Sequence, residues 1–167
     1  TRTNAGIDIF SSFKKLHTLC DGPDREIYAC SAGSLSISQS VIGLIQEGLP
    51  TGDDTEMMRT LQSVTSMFRA AQLVGEAVQM ATRTVGAALA TINMSSSVSL
   101  LLGGRIGNQA PGLYLIYNAG NFIECKADVP FLQIRETKYG KPILDRGLEY
   151  GTSLREAVKF GFLSFDS

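Results

Sequence analysis

The stretch Ser31-Ala32-Gly33-Ser34 carries the first chemistry legible in the chain. It lies between a strand-like run, Glu26 to Cys30, and apolar residues Leu35, Ile37, Val41, Ile42 and Ile45 at near-helical spacing. Ser34 stands where an N-cap hydroxyl is wanted. A strand, a small-residue turn and a helix start leave backbone N–H groups next to a glycine that admits close approach. Such a place suits an anion or a developing oxyanion. The plain alternative is a helix start and nothing more. A second chemistry sits at Thr1, whose hydroxyl is a nucleophile type and whose α-amine, with a pKa of about 7.7–8.0, is a base type. Arg2-Thr3-Asn4-Ala5-Gly6 after it reads as a turn, whereas a nucleophile needs a rigid strand to hold it. A third arrangement sets Ser31 or Ser34 with His17 as a hydrolase pair. The turn has the strand-to-helix form of a nucleophile elbow but lacks the G-x-S-x-G spacing.

The elements that must position these residues follow from periodicity and turn signals. Phe13 to Leu19 alternates as a strand, and Asp21-Gly22-Pro23-Asp24 turns it into the strand at Glu26, predicting a hairpin. The helix from Leu35 should end at Gly48, with Pro50 beyond. A long helix is predicted over about Ser66 to Ala90, with an alanine-rich apolar face. Strands are expected at Ser96–Leu102, Leu113–Tyr117 and Phe122–Cys125, with a further extended run at Val129–Ile134. Gly103 to Asn108 reads as a hairpin loop, not a phosphate cradle, because no Lys-Ser/Thr follows its glycines. Thr55–Gln62 fits no single template. Two helices close the chain, one near Pro142 and one after Ser153, where Ser153 and Glu156 make a capping box. Strands, helices, strands and helices in blocks predict an α+β architecture.

The bulk properties narrow the function classes. The chain has 167 residues and 44% hydrophobic content, matching one domain with a real core. A net charge of −1 and no Lys/Arg stripe argue against nucleic acid. No apolar run reaches bilayer length, and Thr1-Arg2-Thr3-Asn4 is no signal peptide. Cys20, Cys30 and Cys125 are an odd set at scattered spacing, which predicts reduced thiols and a cytoplasmic protein. One histidine and no paired cysteine motif make a metal site an unsuitable reading, and no cofactor is expected.

Five runs resemble the proteasome β-subunit superfamily of N-terminal-nucleophile peptidases, and within it the bacterial Anbu family. They are Thr1 to Gly6, Phe13 to Leu16, Ser31 to Gln39, Tyr117 to Glu124 and Lys138 to Asp145. They keep their order and span nearly the whole chain. The resemblance implies an αββα sandwich, with antiparallel sheets between helix layers. It implies self-association into a ring or spiral and hydrolysis of peptides or unfolded proteins by an N-terminal hydroxyl. Lys15 matches the family lysine beside the nucleophile, where its charge lowers the pKa of the attacking group. Gly33 matches the glycine whose N–H faces the oxyanion. Thr3 and Asn4 match the segment that pairs with an extended substrate. Ser31 and Leu35 match walls of the pocket for the residue preceding the cut. Arg135 stands where the family tends to have glycine. The register puts Thr1 after the family's catalytic strand, so the chain looks truncated at both ends, with the first and last strands missing and Thr1 not catalytic. A non-catalytic assembly subunit of the same fold is the alternative.

Overall fold

A computed structural model describes residues 3–5, 8–10, 14–52, 54–134 and 139–166; for 3–5, 8–10 and 54–56 it describes the backbone only. The central element is a five-stranded antiparallel sheet in the order β3-β4-β7-β8-β9. Its strands are β3 (Leu16–Gly22), β4 (Arg25–Gly33), β7 (Val98–Ile106), β8 (Gly112–Ile116) and β9 (Phe122–Glu124). Two short ladders stand outside it: β1 (Thr3–Ala5) with β2 (Asp8–Phe10), and β5 (Leu49–Thr51) with β6 (Asp54–Arg59).

Helices α1 (Leu35–Glu47) and α2 (Met67–Thr91) pack on each other and on one sheet face. The cause is period-two burial in the strands set against the helical periods. Ile27 and Ala29 of β4, and Leu100 and Leu102 of β7, turn to the helices. Ile37, Val41 and Ile45 of α1, with Ala70, Val74, Ala77, Val78 and Ala81 of α2, meet them. Truncating one of the large aliphatic side chains here costs about 2–5 kcal/mol through lost transfer energy and an unfilled cavity.

The small residues of α2 let it approach closely. A Cβ at Gly75 would collide with the Gly120 carbonyl in the turn between β8 and β9. The start of α2 is capped by Ser66, whose hydroxyl accepts the Arg69 N–H at 3.2 Å. Its neighbour α1 ends as the sequence signals: Gly48 has φ of 99° and donates its N–H to Leu44 O at 2.9 Å.

The last two helices, α3 (Gly140–Gly147) and α4 (Leu154–Asp166), pack chiefly on each other. Gly140 abuts Ser164, and Gly147 abuts the Phe160 ring. The Ser153 hydroxyl accepts the Glu156 N–H at 3.3 Å, which is the N-cap half of the expected capping box, while the Glu156 carboxylate accepts from that same hydroxyl at 2.9 Å. No residue of α4 is buried, and Leu154, Val158, Phe162 and Phe165 make an exposed apolar stripe along it.

Four local expectations change. Thr3–Ala5, read as a turn, pairs with Asp8–Phe10 as strand. Gly103 to Ile106, read as loop, continues β7, because Gly104 runs against the backbone of Glu26 where a side chain has no room. The Thr55–Gln62 region opens with β6, paired to β5 around Pro50. Val129 to Ile134 forms no strand; only a single bridge, Lys126 to Val129, marks it.

Candidate functional site

Ser31 and Lys15 come together because β3 and β4 form the predicted hairpin. The Ser31 N–H donates to Lys15 O at 3.2 Å, so the two residues sit opposite one another. His17, two residues on and paired with Ala29, lies on the same sheet face as Lys15. That face is the one α1 covers, so the segment leading into β3, the end of β4 and one face of α1 line a cavity of about 400 Å³. Lys15, Ser31, Gly33 and Leu35 all line it, joined by Lys14, His17, Ala32, Ser38, Gln39, Ile42, Gly43 and Gln46. Lys15 is half-buried, Lys14 is exposed, and Ser31 is buried.

Gly33 ends β4 with φ of 103°, a conformation that favours glycine. The Ser34 N–H donates to Ser97 O at 2.7 Å, which makes the next pair, Gly33 and Val98, a non-hydrogen-bonded one. The Gly33 N–H therefore points away from β7, to the side of Lys15. An amide donor and a lysine thus address one space from the same side of β4.

Ser34 takes the N-cap position of α1 with extended geometry, but its hydroxyl caps no amide. It lies 3.2 Å from the Ser36 hydroxyl instead, while the Ser34 carbonyl accepts both the N–H and the hydroxyl of Ser38, at 3.0 and 2.8 Å. The expected cap bond is absent at this helix start, so the Ser34 hydroxyl satisfies none of its first amides.

Burial lowers the His17 pKa from its ordinary value, and the Lys14 charge lowers it further. Neutral imidazole is the form this site favours. Among the described residues no hydrogen bond joins His17 to Ser31 or Ser34, so the serine–histidine arrangement lacks the contact its chemistry requires. Burial pushes the Cys30 thiol up and, more than the opposing Arg25 charge, the Cys20 thiol as well, so neither is an activated nucleophile. No cluster of His, Cys, Asp and Glu suited to a metal ion occurs among the described residues, and none of their helices is long and apolar enough to cross a membrane.

The structure thus brings Lys15, Ser31, Gly33 and Leu35 into one cavity. Thr3 and Asn4 lie on the β1 backbone, their side chains outside the described residues, as are Thr1 and Arg135 altogether. Sequence reasoning gave no role to Gln39, which closes the run Ser31 to Gln39, or to Gln46, which lies outside every matching run. Their signal is helical spacing: Gln39 is four residues past Leu35, and Gln46 two turns further.

No family model and no curated protein matches the chain. Solved structures do. It is 40% identical to Anbu (ancestral beta-subunit) from Yersinia bercovieri, with a TM-score of 0.83, over 99% of this chain and 67% of that one. It is 42% identical to the Anbu complex from Pseudomonas aeruginosa, solved as a helical assembly, with a TM-score of 0.86, over 99% of this chain and 66% of that one. Anbu from Hyphomicrobium sp. strain MC1 gives 42% identity and a TM-score of 0.83, over 100% of this chain and 67% of that one. The chain spans about two thirds of the length of these relatives. The α+β architecture, an antiparallel sheet packed against helices, is theirs. At such identity over nearly its full extent, the chain belongs to the Anbu family, with its proteasome-like N-terminal-nucleophile fold.

Proposed function

We propose that these residues form the substrate-facing part of a proteasome-type peptidase site. The observation that carries this reading is the convergence of Lys15, Ser31, Gly33 and Leu35 on one cavity, with the Gly33 amide directed to the Lys15 side. In this scheme a peptide lies extended along Thr3 and Asn4. Its side chain before the cut enters between Ser31 and Leu35. The Lys15 ammonium lowers the pKa of the attacking hydroxyl, and the Gly33 N–H stabilises the oxyanion as it forms. The hydroxyl is not that of Thr1, since the family register puts Thr1, two residues before the substrate-pairing Thr3, past the catalytic position. Self-association into a ring or spiral accompanies this reading, supported by the helical assembly of the relative from Pseudomonas aeruginosa.

The test begins with Thr1. A threonine-directed electrophile should leave it unmodified by peptide-mapping mass spectrometry, and Thr1→Ala should not change any peptide cleavage. An adduct on Thr1 overturns the register. In a protein that presents a Thr- or Ser-led strand ahead of these residues, Lys15→Ala should reduce hydrolysis of a fluorogenic peptide by about 10²-fold or more. The second reading is a non-catalytic subunit of an assembly. The exposed apolar stripe on α4 supports assembly, and unaltered assembly without any hydrolysis in a protein that presents the Thr- or Ser-led strand would establish the second reading.

A further inference from the structure

The lining of the same cavity is selective, and this inference rests on the peptidase reading above. A volume of about 400 Å³ leaves room for one large side chain beyond the main chain that enters. Leu35, Ile42 and Ala32 supply apolar wall. At Gly43 the wall carries no side chain, and a Cβ there would meet nothing within 4 Å. Gln39 and Gln46, both exposed on α1, reach the cavity with amides that have no hydrogen-bond partner among the described residues. The only ionisable side chains in the described lining are Lys14, Lys15 and His17, with no carboxylate among them.

These features favour one class of occupant. A lysine or arginine side chain would lose water and meet no carboxylate in the described lining, which is unfavourable. A glutamate would meet lysine charge but would have to bury its carboxylate against Leu35 and Ile42. A small side chain would leave the space above Gly43 unfilled. We propose that the pocket selects an aromatic residue, tyrosine or phenylalanine, before the cut, and that it rejects basic residues. The aromatic body lies against Leu35, Ile42 and the bare backbone of Gly43. The Gln39 and Gln46 amides can give and take hydrogen bonds with a phenol.

Acetylated tetrapeptides that differ only in their last residue test this. A free C-terminal carboxylate on each mimics the product and faces Gly33 and Lys15 identically throughout. Calorimetric titration should give Tyr and Phe peptides at least about tenfold tighter binding than Ala, Glu or Lys peptides, the discrimination expected of a filled apolar pocket. Gly43→Leu should reduce the Tyr-to-Ala affinity ratio to about one. Its melting temperature should hold or rise, because leucine is the better helix former, so a folding failure is not confused with a filled pocket. A Lys or Glu peptide that binds more tightly than the Tyr peptide, or a Gly43→Leu protein with the full Tyr preference, overturns the proposal and leaves the peptide site standing. Failure of every peptide to bind at millimolar concentration removes the peptidase reading itself, and the selectivity with it.

Discussion

Gly33 and Ser97 meet backbone to backbone at the end of β4, where a Cβ on Gly33 would collide with the Ser97 carbonyl. That carbonyl accepts the Ser34 N–H at 2.7 Å, so it cannot move aside without breaking the bond that seats α1 on the sheet. Gly33→Ala is therefore opposed twice, by the contact and by φ of 103°. Chemical denaturation should show a loss of about 1–3 kcal/mol from backbone strain alone. Product-like peptides should bind more weakly to whatever remains folded, because the amide shifts with its residue.

Gly75 in α2 sets two rules against each other. Alanine is the better helix former by about 1 kcal/mol, so an exposed glycine there would be improved by replacement. A Cβ at Gly75, however, runs into the Gly120 carbonyl in the turn between β8 and β9. Overpacking of this kind costs about 1–3 kcal/mol and should win. Thermal unfolding of Gly75→Ala should lie below that of the parent protein. Gly43→Ala in α1, with open space around it, is the matched control and should unfold higher.

His17 gives stability an acidic dependence. Its folded pKa lies below the ordinary value of 6.5, through burial and then the charge of Lys14. The unfolded chain therefore takes up the proton first as pH falls. Stability should decline as pH drops below about 6.5 and level off beneath the folded pKa, with no contribution from this group well above about 6.5. His17→Gln should flatten that part of the profile in urea titrations at several pH values. Because His17 is only partly buried, a shallow slope is expected.

Tyr114 gives an alkaline dependence of the opposite kind. It is 4% exposed and donates its phenol hydrogen to Glu124 at 3.0 Å. Burial first, then the bond to Glu124 and its charge, push its pKa up to about 12 from 10.0. A raised folded pKa means full stabilisation below pH 10.0, lost as pH climbs toward about 12. Ultraviolet difference titration of the parent against Tyr114→Phe should isolate a phenol ionising near that upper limit. Near neutral pH the same substitution should cost about 0.5–1.5 kcal/mol for the lost hydrogen bond.

Much of this was written in the sequence where local signals and tertiary packing agree. The apolar spacing from Leu35 and the stop at Gly48 return α1 with its bounds, and the alanine face returns α2 within a residue or so. Agreement fails where a glycine has a tertiary reason. Gly104 reads as loop in isolation, yet it continues β7 because Glu26 leaves it no room for a side chain. Pro50 hides a strand because short ladders tolerate what a central strand would not. The site divides in the same way. The turn at Gly33 announces itself locally, whereas Lys15 stands out from Lys14 only through the family resemblance and through pairing with Ser31. Gln39 and Gln46 gain meaning only once α1 is laid over β3.

The exposed row Leu154, Val158, Phe162 and Phe165 gives the 167-residue chain a temperament in solution as well as a shape. A seam of aliphatic and aromatic groups in contact with water is stable only relative to its surroundings. Sulfate should drive such molecules together, urea should part them, and cold should loosen whatever they have seized, since the force concerned fades on cooling. The helix expected to drive this association takes no part in the cavity.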